Sequence, residues 1–86
     1  MPEISRFYGI VIRMYHDDHG VPHFHAYYGK DAAVVDLAGL QLIEGKLPKR
    51  AMSHVLEWAF EHRKELFENW ERTQHGIELK KIAPLE

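Results

Sequence analysis

Four of the seven histidines crowd, with two aspartates, into the run His16-Asp17-Asp18-His19-Gly20-Val21-Pro22-His23-Phe24-His25. Imidazole and carboxylate together suit Zn²⁺, Mn²⁺ or Fe²⁺. In extended backbone, side chains alternate between faces. His23 and His25 therefore project from one face and can reach a single ion, with His16, His19 or Asp18 adding ligands from the preceding loop. The competing reading is a solvated pair beside a polar turn, because alternation places such pairs on the open face of any strand. The same imidazoles suit proton transfer without a metal. His23 or His25 could act as general acid or base, with Arg13 and Asp36 as supporting groups and Tyr15 and Tyr27 nearby. A small ribonuclease works this way, with imidazole moving the 2′-hydroxyl proton and a cation stabilising the phosphorane.

These residues need strands to hold them. Phe7 to Tyr15 reads FYGIVIRMY, β-branched and aromatic with period-two alternation, which predicts a strand. The polar His16 to Pro22 segment closes on Gly and Pro and predicts a turn. His23 to Tyr28 predicts the hairpin partner, with Phe24, Ala26 and Tyr28 alternating against His23, His25 and Tyr27. Gly29-Lys30 makes a second turn. Ala32 to Leu37 and Leu40 to Glu44 predict two further strands joined at Ala38-Gly39, with Leu37, Leu40 and Leu42 as core candidates.

No Gly or Pro interrupts the segment between Pro48 and Gly76, which predicts a helix from Pro48 to His75. Met52, Val55, Leu56, Ala59, Leu66, Phe67 and Trp70 form one apolar stripe, interrupted by Arg63. A straight helix of that span is about 40 Å long at 1.5 Å per residue, roughly twice a six-residue strand, so a bend near His62 to Lys64 or a protruding half is expected. Glu78 to Ile82 could add a short edge strand before Pro84. The expected fold is α+β, a four-stranded antiparallel meander packed by a long or bent C-terminal helix, with that fifth edge strand open.

The open sheet face predicted from this pattern carries Val11, Arg13, Tyr15, His25, Tyr27, Val34, Asp36 and Ile43. It is more aromatic and apolar than a fully solvated face requires. It could stack single-stranded bases or anchor a protein, or it could be covered by the second half of the helix or by a copy of the chain. Lys46, Lys49 and Arg50 cluster where the helix starts. They read as a phosphate site or as a solvated first turn, the latter favoured because cations oppose the dipole there. Trp70 reads as core, and Trp58, near the polar edge beside His62, as an interface candidate.

With 86 residues and no cysteine, the chain supports one core, a single domain over residues 1–86, without disulfides or thiolate zinc sites. A formal net charge of -2 provides no general attraction for nucleic acid or anionic membrane. The N-terminus does not read as an export leader. Apolar runs fall far short of the roughly 20 residues a membrane span needs, so a cytoplasmic protein is expected.

Pro2-Glu3-Ile4-Ser5-Arg6-Phe7-Tyr8-Gly9-Ile10-Val11-Ile12, Pro22-His23-Phe24-His25-Ala26, Glu44-Gly45-Lys46-Leu47-Pro48, Trp70-Glu71 and Lys80-Lys81-Ile82 together resemble the DUF4160 family. It is a family of small bacterial proteins of unknown function. The resemblance implies membership in two-gene, toxin-antitoxin-like modules and a role for Pro22 to His25. Two expectations follow. One is a module binding a small protein partner or its own copy, with nucleic acid as a further ligand, through the sheet face and the long helix. The other is a metal-dependent or histidine-based hydrolase or nuclease built on His23 and His25.

Overall fold

The computed structural model describes residues 3–86, so Pro2 of the opening segment lies outside them. Five strands form one antiparallel sheet in the order of the chain: β1 (Glu3–Phe7), β2 (Ile10–Arg13), β3 (His23–Tyr28), β4 (Asp31–Asp36) and β5 (Leu42–Gly45). Two helices follow, α1 (Lys49–Glu61) and α2 (Arg63–Gln74). The α+β meander is as expected, with five strands where four and an optional tail strand were expected.

The extra strand, β1, lies ahead of the strand expected over Phe7 to Tyr15 and pairs with β2, so that Tyr8-Gly9, expected inside a strand, is the turn between them. Tyr8 and Gly9 both take positive φ, 51° and 80°, as a two-residue type I′ connection requires. Tyr-Gly is a weak signal for that turn, because a tyrosine at positive φ is strained. Burial of Ile4 and Phe7 offsets the strain, since pairing β1 to β2 carries both side chains into the core.

The expected strand at Glu78 to Ile82 does not form. A single backbone bond, Ile82 N–H to Ile4 O at 2.8 Å, ties the tail to β1. Asn69, fully buried, holds the same tail as a strand would: its side-chain amide donates to Lys80 O at 2.8 Å, and its Oδ1 accepts the Lys80 N–H at 3.0 Å. Ile82 and Leu85 then close the end of the core.

The helix breaks at His62 (φ -115°, ψ 24°), inside the stretch where a bend was expected. α2 stops at Gln74, and Gly76 beyond it, with φ of 66°, lets the Ile77 N–H return to Arg72 O at 2.9 Å. Both helices pack on the sheet face that carries Phe24 and Ala26. Val55, Trp58, Ala59 and Leu66 meet Ile10, Ile12, Met14, Phe24, Val35 and Leu37 in one core.

Two expectations about packing are corrected. Trp58 is not at an interface: it is 0% exposed, lies against Phe7 and Phe24, and donates from Nε1 to Ala83 O at 2.8 Å. The returning tail covers what a lone helix would have left open. Leu42 is 47% exposed, because β5 is an edge strand whose residues all face solvent, and Leu40 is only half-buried. Leu37 is core as expected.

β5 approaches β4 closely at Gly45. Its φ is +75°, and a Cβ there would collide with Ala32 O, the acceptor of the Lys46 N–H at 3.0 Å. Gly45→Ala is expected to cost about 1–3 kcal/mol, from the positive φ together with the collision, read as a lower urea midpoint. Unchanged stability would contradict this account of the turn.

Candidate metal centre

The segment His23–Tyr27 alternates half-buried and buried, with Phe24 and Ala26 inward and His23, His25 and Tyr27 on the opposite face, while Tyr28 at the strand's end is exposed. His23 and His25 thus stand side by side, ring centres 5.3 Å apart. The loop after β2 then brings Asp18 over them. Its Oδ2 lies 3.0 Å from His25 Nε2 and 3.3 Å from His23 Nε2. Asp18, His23 and His25 each offer one ligand atom, all within 4.8 Å of one another. The side chains are 20%, 12% and 21% exposed respectively, so the group is sheltered yet reached by solvent.

The loop is held from below by the end of α2. Gln74 Nε2 donates to Asp18 O at 3.1 Å, the Asp18 N–H donates to Tyr15 O at 3.1 Å, and His16 Nε2 contacts Ile77 O at 2.9 Å. His23 is fixed twice more. Trp70 packs on its ring at 5.0 Å, and Nδ1 lies 2.7 Å from Val21 O. A carbonyl only accepts, so Nδ1 carries the proton. In the neutral ring Nε2 then presents a lone pair to the site, held in that orientation by the bond from Nδ1 to the Val21 carbonyl.

Of the sequence candidates for the metal, the fold unites Asp18, His23 and His25. His16 is turned to the Ile77 carbonyl, and His19 is exposed and outside the group. Asp36 is the register partner of His23, but its Oδ1 accepts the Gly39 N–H at 2.6 Å and braces the β4–β5 turn. Arg13 is the register partner of His25. Tyr15 meets the His25 ring edge-on at 4.9 Å, Tyr27 lies parallel to it at 6.3 Å, and the two phenol oxygens are 2.7 Å apart. Lys46, Lys49 and Arg50 do not join this group. Arg50 lines a separate hollow of about 320 Å³ with Tyr8, Tyr28 and His54. Tyr28 is at the other end of β3 from His23, about 16 Å away at 3.3 Å per residue. α2 reaches the open face only at its His23 end, through Trp70 and Gln74, and the rest of that face is half-buried by its own neighbours apart from the exposed Ile43. The contributions of Val21 O, Trp70 and Gln74 carry no signal in local sequence; only Val21, two residues before His23, lies close enough along the chain to have been considered.

Burial pushes the Tyr27 phenol up to about 12, with the Tyr15 hydrogen bond and the Asp18 carboxylate adding to the effect and Arg13 opposing it. Tyr27 is therefore a neutral hydroxyl at physiological pH. A folded pKa above the unfolded one stabilises the fold below about pH 10, and that contribution is lost as pH rises through about 12. Ultraviolet titration is expected to show one tyrosine ionising near pH 12, at a lower pH in Tyr15→Phe. A Tyr27 that ionises at the ordinary value in both would contradict the buried pair.

The fold and this residue group define a small α+β protein with two histidines and a carboxylate converging on an open sheet face. The chain belongs to the family described as "Domain of unknown function (DUF4160)", which matches residues 9–71. No curated protein and no solved structure matches it. Among the described residues, no helix is long and apolar enough to cross a membrane.

Proposed function

We propose that the protein is a metal-dependent hydrolase whose ion is held by Asp18, His23 and His25. The observation that carries this reading is the pair of distances from one carboxylate oxygen. Ligand atoms about 2.1 Å from a shared ion stand roughly 3.0 Å apart at right angles and roughly 3.4 Å apart in a tetrahedron, and the separations here are 3.0 Å and 3.3 Å. A neutral His23 with Nδ1–H on Val21 also turns its Nε2 lone pair toward the Asp18 carboxylate, an arrangement that a cation between them satisfies. Asp18, His23 and His25 would hold a divalent ion, which would supply Lewis-acid polarisation of an ester oxygen and an activated water. In ester hydrolysis the water oxygen bonds to the ester centre, the ester bond breaks, and the departing oxygen takes a proton while the attacking water loses one to solvent.

Elemental analysis of protein dialysed against Zn²⁺, Mn²⁺ or Fe²⁺ tests the site. One ion per chain is expected, with hydrolysis of an activated ester abolished by chelator and restored by the metal. A protein that retains no ion sinks the reading.

A second reading, a module for a small protein partner or a second copy as in a toxin-antitoxin-like pair, is favoured by β5. Its residues are all exposed, and it leaves Leu42 and Ile43 on an edge of the sheet. Light scattering after size exclusion tests the second-copy form, and a strictly monomeric chain counts against it.

A further inference from the structure

Arg13 faces His25 directly across the β2–β3 pairing, so both side chains leave the same face of the sheet. Its Nε is buried and has no hydrogen-bond partner, and among the described residues it forms no ion pair. The guanidinium carbon lies 5.6 Å from the centre of the Tyr27 ring, and an aromatic face orients a guanidinium without using its donors. Arg13, Tyr15 and Tyr27 therefore surround the His25 side of the proposed ion site with an uncommitted guanidinium and two hydroxyls, of which one must donate to the other and the second keeps a proton to give.

We infer that the substrate of the proposed hydrolase is a phosphate ester, its non-bridging oxygens received by the Arg13 guanidinium and by the Tyr15–Tyr27 hydroxyl pair. This rests on the metal reading. The chemistry selects an anion because Arg13 is in no ion pair among the described residues, its cross-strand neighbour Glu3 being engaged by Arg6 at 2.9 Å, and the planar guanidinium fork matches two oxygens of one tetrahedral phosphate. A neutral peptide or glycoside would leave that charge uncompensated. In the hydrolytic step the oxygen of water bonds to phosphorus, the bond from phosphorus to the leaving alkoxide breaks, and the alkoxide takes up one proton as the attacking water gives one up. Arg13 holds the charge on the non-bridging oxygens throughout, as positioned cations do in phosphoryl transfer.

Calorimetric titration of the metal-loaded protein with orthophosphate, and separately with acetate, tests the inference. Phosphate is expected to bind, acetate more weakly. Arg13→Gln is expected to weaken phosphate at least tenfold while elemental analysis still finds one ion per chain. Arg13→Lys, which keeps the stem and charge but loses the fork, is expected to fall between the two and serves if Arg13→Gln does not fold. Phosphate binding that ignores Arg13 in metal-loaded protein, tighter binding of acetate, or no phosphate binding at all overturns the inference. If the wild type holds no ion yet binds phosphate through Arg13, the anion site stands while the metal reading and the hydrolytic step built on it fall.

Discussion

Saturating the wild-type protein with its preferred ion, at a hundred times the dissociation constant, is expected to raise its stability by about 2.7 kcal/mol. For a domain of this size that corresponds to roughly 10–20 °C in Tm. The effect follows from linkage, because the ligand atoms of Asp18, His23 and His25 are brought together only by the folded sheet and loop. His25→Ala and Asp18→Asn are each expected to lose the whole increment. The first removes a ring nitrogen, and the second replaces an anionic ligand with a neutral one. His19→Ala should keep it, since that imidazole lies outside the group although it is only one residue from Asp18. Differential scanning calorimetry with and without the ion reads all four proteins. An increment that survives in His25→Ala, or that vanishes in His19→Ala, would place the ion elsewhere.

The largest effect on folding is expected at Trp58. The ring is completely buried between Phe7, Phe24 and the returning tail, and its indole N–H holds Ala83 O. Trp58→Ala is expected to cost about 3–5 kcal/mol through the cavity and the freed tail. A chain of this size has about 4–13 kcal/mol in all, so the substitution removes from roughly a quarter to all of its stability. Trp58→Phe keeps most of the apolar volume and loses the hydrogen bond, at about 1–2 kcal/mol. Urea unfolding followed by circular dichroism distinguishes them. A Trp58→Ala protein as stable as wild type would mean that the tail does not close the core.

What could be read along the chain was whatever depends on neighbours in sequence. β3 was placed at His23 to Tyr28 because alternation is a local property, and the same alternation put both imidazoles on one face. The break near His62 followed from helix length against strand length, and the end of α2 from Gly76. The first hairpin was not readable, because Tyr-Gly between two β-forming stretches looks like continuous strand until Ile4 and Phe7 find a core to enter. Trp58 departs from its sequence expectation for the same reason, since a residue near the polar edge of an isolated helix becomes interior once a tail more than twenty residues away folds over it.

The histidine-rich segment divides along that line. Sequence by itself determined the ligand types, the β3 pleat and the shared face of His23 and His25, all consequences of side-chain chemistry and a two-residue repeat. Which loop residue completes the group was decided by tertiary structure alone. Gln74 and Ile77, more than fifty residues away, hold the Asp18 backbone and turn His16 aside, so that Asp18 and not His16 or His19 meets the two imidazoles. No local periodicity encodes a loop conformation that is held by the end of a distant helix.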